Sequence, residues 1–437
     1  MLDRVANLFR NADIRKRIWI TLGFLLVYRI GSNVPIPGVN VPLFKALTAS
    51  RDQGNQFLAM LNLLSGGAVQ GAALFSLGIM PYISASIIFS LLVKVVPRLE
   101  AVAKEGSAGQ RRINQWTRLA TVPLAVFQAI IVFGQVYRDP RFGENAGLEF
   151  HTQTLLSSGF GSLMICVLTL TAGTIFLMWI GEQITEHGVG NGISLLIMAG
   201  IIARLPENVH QLLTTSTPIT PVLLLVLFFL VVVVVVYITK GTRRIPVQYA
   251  RLVRGRRGTQ GGRSYMPVKV NQAGVMPVVF SSSLLAFPAL LAGGLGWVWL
   301  QNAMAFGGWW YTILDVGLIY FFSYFWTSLM FNPAEVSKNM KENGAFIPGI
   351  RPGRTTAEFL ERVMVHMTLA GATFLAIMAI VPSWLAREAN SNPQVASFLG
   401  GTSILIVVSV ALDLVDKLNS QLMTHHYESI LRGRGRG

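Results

Sequence analysis

Nine stretches of this chain are apolar over roughly the length a helix needs to cross the hydrocarbon core of a bilayer. They run over 18–39, 74–96, 116–137, 155–180, 218–238, 275–291, 309–331, 363–382 and 398–412. A soluble globule has no interior large enough to hide them all. Only 13% of the 437 residues are charged, against about 25% in soluble domains. The remaining polar surface is too small to cover a globule of this size. The expected class is an all-α integral membrane protein.

A tenth apolar stretch, 193–205, is short, and length alone would reject it. Charge decides for it. With ten spans, the segments on the side of the N-terminus (1–17, 94–118, 181–192, 240–270, 331–362 and 413–437) hold 29 of the 36 Lys and Arg. The opposite loops hold 6, and Arg29 falls inside span 1. Basic loops stay in the cytoplasm, so both termini are expected there. With nine spans the 240–270 loop, which carries nine basic residues and no acidic one, would be exported. The basic N-terminus leads into a retained first span, because Arg29 and Pro35-Ile36-Pro37 replace a small-residue cleavage pattern.

Ten spans divide into halves of five, 1–205 and 206–437, which enter the membrane from opposite sides. That arrangement permits an inverted pseudo-repeat with a pathway between the halves. Residues 57–72 do not fit a span: they are apolar, too short to cross, and interrupted by Ser65-Gly66-Gly67. Such a piece is either re-entrant or an amphipathic helix on the membrane surface.

The chemistry of soluble enzymes is missing. The sequence contains no phosphate-binding loop, no H-E-x-x-H and no G-x-S-x-G. His425-His426 are adjacent in a polar tail, and the other histidines show no ligand spacing, so no metal and no cofactor are expected. Cys166 is the single cysteine and excludes an intrachain disulfide. The span interiors are short of ionisable groups, with Asp315 and Arg29 as exceptions, which disfavours the proton relay of a small-solute transporter.

Two long motifs carry specific information: Leu77-Gly78-Ile79-Met80-Pro81-Tyr82-Ile83-Ser84-Ala85-Ser86-Ile87-Ile88, and Gly181-Glu182-Gln183-Ile184-Thr185-Glu186-His187-Gly188-Val189-Gly190-Asn191-Gly192-Ile193-Ser194. Both resemble the SecY family, the central subunit of the bacterial protein-conducting channel. Similar stretches continue at Lys269–Pro277, Pro348–Gly353, Gly400–Ser403 and Tyr427–Ser429, so the resemblance runs in order along the chain. Ser90 departs from it, where the family commonly has glutamine.

The resemblance implies a set of parts. A pore ring would be formed by Ile79, Ile83, Ile193, Ile197, Val279 and Ile406. The pairs 79/83 and 193/197 have the i,i+4 spacing of a single helix face. An aliphatic ring offers a passing chain no directional hydrogen bonds and resists wetting when empty. Residues 57–72 become a short plug helix, with Leu61, Leu64, Ser65, Gly66 and Gly67 at its centre. The lateral gate, between spans 2–3 and 7–8, would use Ser84, Ser86, Gln128, Ser281, Ser282 and Ser283. Small residues there allow close helix approach. Arg243, Arg244, Lys269 and Arg351 are implied docking residues. Pro348-Gly349 and Pro352-Gly353 bracket the last of these in a rigid turn.

The expected function is therefore a channel rather than an enzyme. It would pass unfolded preproteins across the bacterial inner membrane and release apolar segments sideways into the lipids. The implied partners are SecE, SecG, the SecA ATPase, the ribosome through its rRNA, and preprotein signal sequences. Energy must come from such a partner, since the chain has no nucleotide site. A small-solute secondary transporter is the alternative.

Overall fold

Without water to bond a backbone, an apolar segment is stable in lipid only if it satisfies its own N–H and C=O groups, which a helix does. In the computed structural model, described residues are 12–37, 39, 65–133, 159–207, 209–210, 219–249, 253–254, 257–258, 263–295, 297–303, 308–388 and 401–434. A helix occupies each of the ten apolar stretches. The first half supplies α1 (Ala12–Gly31), α2 (Met80–Val95), a short α3 (Pro97–Lys104), α4 (Ser107–Val132), α5 (Gly159–His187) and α6 (Gly192–Ala203). The second supplies α7 (Ile219–Lys240), α8 (Met276–Leu295), α9 (Val298–Ala303), α10 (Trp309–Met330), α11 (Pro333–Glu342), α12 (Arg354–Glu388) and α13 (Gly401–Arg434).

Among the described residues, four helical segments are long and apolar enough to cross a bilayer unaided: Ser107–Val132, Leu163–His187, Trp309–Glu342 and Arg354–Val381. A fifth is the pair α2 and α3, bent by 98° at Val96. The 12 residues of α6 reach roughly 18 Å at 1.5 Å per residue, short of the hydrocarbon core. The 193–205 stretch is thus the short element its length suggested.

Span 2 begins later than hydropathy indicated. Residues 65–79 form a succession of turns, and α2 starts only at Met80, where Pro81 occupies the first turn. Gly66, Gly67 and Gly78 have φ of +66°, +91° and +55°, and Ala72 has +44°. These left-handed angles cannot continue a right-handed helix. Of the short helix expected over 57–72, the part at 65–72 is therefore turn, and residues 57–64, with Leu61 and Leu64, lie outside the described residues.

The loops depart from an all-α chain. The 240–270 loop contains β1 (Thr242–Tyr249), antiparallel to β4 (Arg263–Lys269) from Thr242↔Lys269 to Gln248↔Arg263. Between them lie β2 (Val253–Arg254) and β3 (Arg257–Gly258), paired with each other. On its other edge β1 takes β5 (Ala345–Phe346) from the 331–362 loop. The two large basic loops are thereby one sheet, in the order β4-β1-β5. Pro246 faces Tyr265 and Pro267 faces Arg244, two steps apart on the ladder, so both prolines fall where the amide would point out of it.

Among the described residues, two apolar cores result. The larger draws on α1, 65–79, α2, α4, α5, α6, α7, α8, α10, α12 and α13. The smaller, of Ile245, Val268, Ile347, Leu360, Val363 and Met364, fastens the sheet to α12.

Candidate functional site

The second motif folds as the corner between α5 and α6. Asn191 caps α6, its side-chain oxygen accepting from the amides of Ile193 (3.0 Å) and Ser194 (3.3 Å). Thr185 donates to the Gly181 carbonyl at 2.8 Å and accepts from the Gly192 amide at 2.9 Å. A Cβ on Gly192 would lie 1.9 Å from the Gly181 carbonyl oxygen, so only glycine fits. Thr21 of α1 accepts from the Val189 amide at 3.1 Å and closes the corner from outside. This corner fixes where α6 starts, and with it the placement of Ile193 and Ile197 one turn apart.

From the first motif, Ile79 stands just before α2 and its carbonyl accepts from the Ile83 amide at 3.1 Å, which stacks the two side chains. Val279 lies on α8 and Ile406 on α13. Ile79, Ile83, Ile197, Val279 and Ile406 are each only 5% exposed, and half-buried Ile193 packs against the same apolar cluster. Ala68, Val69 and Ala72 belong to it as well.

The 65–79 segment is held by its surroundings rather than by a regular ladder. Tyr28 of α1 donates to the Ser65 carbonyl at 3.3 Å. The Ile36 amide donates to the Ala72 carbonyl and the Leu74 amide to the Val34 carbonyl, both at 2.8 Å. Ser76 returns its hydroxyl to the carbonyls of Ala68 (2.9 Å) and Ala73 (2.6 Å). Gly66 meets Gly200 of α6 so closely that a Cβ on Gly66 would lie 2.9 Å from the Gly200 Cα. Arg204, the residue that caps α6, is buried and donates to the Gln70 side chain. Sequence reasoning missed Tyr28, Gln70 and Arg204. The signal for Arg204 was a lone cation ending an apolar run, read only as a topology count.

At the seam, α2 packs on both α4 and α8. Buried Ser283 of α8 bonds the Met80 sulfur across it at 3.7 Å, and Gln128 of α4 is buried. Ser281 turns the other way, to Asp315 of α10 at 2.5 Å. Ser84 donates to its own helix at the Met80 carbonyl (3.0 Å), and Ser282 does the same at Val279 (3.0 Å). Ser86 is half-buried on α2. The six polar residues are thus not one continuous line.

Arg243, Arg244, Lys269 and Arg351 are all exposed. Side chains alternate along a strand, so Arg244 and Lys269 share the outer face of the sheet, while Arg243 lies on the face of Ile245. Arg351 sits in a turn between Gly349 (φ +82°) and Gly353 (φ +112°). Thr356 donates to the Arg351 carbonyl at 2.9 Å and Ser337 to that of Gly353 at 2.6 Å. Among the described residues, no group of three or more His, Cys, Asp or Glu is placed to hold a metal.

The SecY family profile matches residues 73–415. A protein translocase subunit SecY of Corynebacterium glutamicum is 41% identical, the alignment covering 99% of this chain and 100% of the relative. The corresponding subunit of Escherichia coli K12 is also 41% identical, over 96% of this chain and 94% of its own. A solved structure described as that of a protein conducting channel superposes with TM-score 0.62 at 18% identity, over 93% of this chain and 92% of that one. Sec61 in the canine ribosome-channel complex from the endoplasmic reticulum gives 0.57 at 16%, over 93% and 92%. At such identities these two speak for the fold alone, but the sequence relatives cover the chain from end to end. The chain therefore belongs to the SecY family: it is an integral membrane channel subunit of a protein translocase and not an enzyme.

Proposed function

We propose that unfolded preproteins pass between the halves 1–205 and 206–437, through a ring of Ile79, Ile83, Ile193, Ile197, Val279 and Ile406. At rest the 65–72 segment plugs it. One observation carries this reading: the six side chains come from four separate parts of the chain, yet one apolar cluster takes them in together with Ala68, Val69 and Ala72. An apolar throat is costly for ions, which must shed hydration to enter. Apolar segments leave through the seam of α2 and α4 against α8 and α10, where Ser283 of α8 bonds the Met80 sulfur of α2.

The setting is the bacterial inner membrane with both termini cytoplasmic, supported by the strong bias of Lys and Arg to one side. SecE and SecG complete the channel, and signal sequences open it. SecA or a ribosome supplies the energy, docking on Arg243, Arg244, Lys269 and Arg351. The ribosome finds support in the likeness to Sec61 in a ribosome-channel complex and to a yeast Ssh1 complex bound to the 80S ribosome.

The test is the seal. Serine at both Ile83 and Ile406 should let water persist in the throat, so the double variant should conduct ions at rest in planar bilayers more than the parent. A folded double variant with unchanged conductance overturns the ring.

A further inference from the structure

We infer that Arg204 is a latch that holds the 65–72 segment in its resting position and ties its release to movement of α6. The inference rests on the plug reading above. Arg204 follows α6 directly and is only 7% exposed, a burial rare for a cation. Its guanidinium lies over the bare Cα of Gly67. A Cβ there would be 3.0 Å from Nε and 3.6 Å from both Cζ and Nη2. Gly67 is thus the residue that lets the cation approach, and its φ of +91° presents that face. Nη2 also donates to the Gln70 side-chain oxygen. With this neutral acceptor the bond is charge-assisted and of intermediate strength.

The position of Arg204 on α6 gives the contact its meaning. Ile193, Ile197, Gly200 and Arg204 are spaced by four, three and four residues, so they form one stripe along the helix. The first two are proposed ring residues. The other two touch the segment: Gly200 meets Gly66, and Arg204 meets Gly67 and Gln70. A chain entering the ring displaces α6, and the same rigid helix then carries Arg204 off its partners. Ring widening and plug release become one event. Tyr28 of α1, bonded to the Ser65 carbonyl, stays behind as a second and weaker hold.

Resting conductance per incorporated channel in planar bilayers tests the latch, with Arg204→Gln, Gln70→Ala, the double variant and a chain lacking Ser65–Ala72. Each single variant should raise it about tenfold, the low end for a lost charge-assisted bond. The double should equal the larger single effect, and Arg204→Gln should add nothing to the deletion. Gln70→Glu, which offers the guanidinium a carboxylate, should lower conductance below that of the parent and lose this effect when Arg204→Gln is added. Additive singles, an unchanged Arg204→Gln, an Arg204→Gln effect that survives the deletion, or a Gln70→Glu that does not lower conductance overturns the latch. A deletion that leaves conductance unchanged overturns the plug reading, and the latch with it.

Discussion

Among the described residues, 65–79 and the β1–β4 hairpin both leave the helix, and they solve the backbone problem differently. The β1–β4 hairpin pairs its strands over seven residues, so the backbone groups facing across that ladder satisfy one another. Its ladder needs no side chain from the membrane helices, and the small core then seats it on α12 with its arginines exposed. Residues 65–79 have no such ladder. They close short turns on themselves, as from the Ala73 amide to the Ala68 carbonyl, and are otherwise held from outside, by Tyr28 at Ser65, Ile36 at Ala72 and Val34 at Leu74. Irregular backbone at membrane depth survives only when protein satisfies it. An element with its own ladder is robust and can dock; one tied down by outside contacts can be released when another element withdraws them.

The comparison breaks first at Gly66. A side chain there meets both a left-handed φ and a wall: its Cβ would be 2.8 Å from the Tyr28 hydroxyl and 2.9 Å from the Gly200 Cα. Gly66→Val should unseat the segment, costing about 3 kcal/mol or more. A lowered melting temperature in detergent and raised resting conductance would record it. Gly106 has a similar φ of +75° but open space around it. Gly106→Ala should cost about 1 kcal/mol from the backbone alone. Equal effects at the two sites would mean that the 65–79 segment is not held by its neighbours.

The hairpin should fail differently. Ile245 is 3% exposed in the small core under the sheet. Ile245→Asp buries an unpaired charge and should cost about 2 to 3 kcal/mol, confined to that core. Hydrogen exchange should speed up in β1 and β4 and stay unchanged in α4 and α5. Loss of protection across the helices would show that the hairpin is not self-sufficient.

Hydropathy made the helices legible because lipid imposes one rule on every span, and the rule is written in length and composition. It located nine helices, with charge deciding the tenth, but not the start of α2, where Pro81 and the preceding glycines were the better markers. The hairpin was hidden by its charge. The alternation of Ile245, Val247 and Tyr249, answered by Met266 and Val268, is a period-2 pattern in a segment read only for its arginines. Family motifs supplied the ring positions, but not which way each serine turns. Ser281 and Ser283 are two residues apart on α8 and face different helices. That direction depends on Asp315 and Met80, which no local pattern connects to them. The partner of Arg204 was unreadable for the same reason, since Gln70 lies more than 130 residues away.

The smallest effect on stability, and the finest test of the comparison, lies on the outer face of the sheet. If the hairpin is a rigid platform, strand alternation alone should sort its arginines. Arg244 shares its face with Lys269, whereas Arg243 shares the face of Ile245. All three are exposed, so charge reversal at any of them should change stability by less than about 0.5 kcal/mol. Their effects on docking should differ. Arg244→Glu and Lys269→Glu should weaken ribosome binding to the reconstituted channel several-fold. They should also flatten its dependence on salt, because each removes a cation that displaces counterions from RNA phosphate. Arg243→Glu should do less, since its strand face is turned toward α12. Binding measured across a salt series, with melting temperatures alongside, separates the outcomes. If Arg243→Glu proves as damaging as Arg244→Glu at equal stability, the partner does not read the outer face, and the hairpin acts as diffuse charge rather than as a platform.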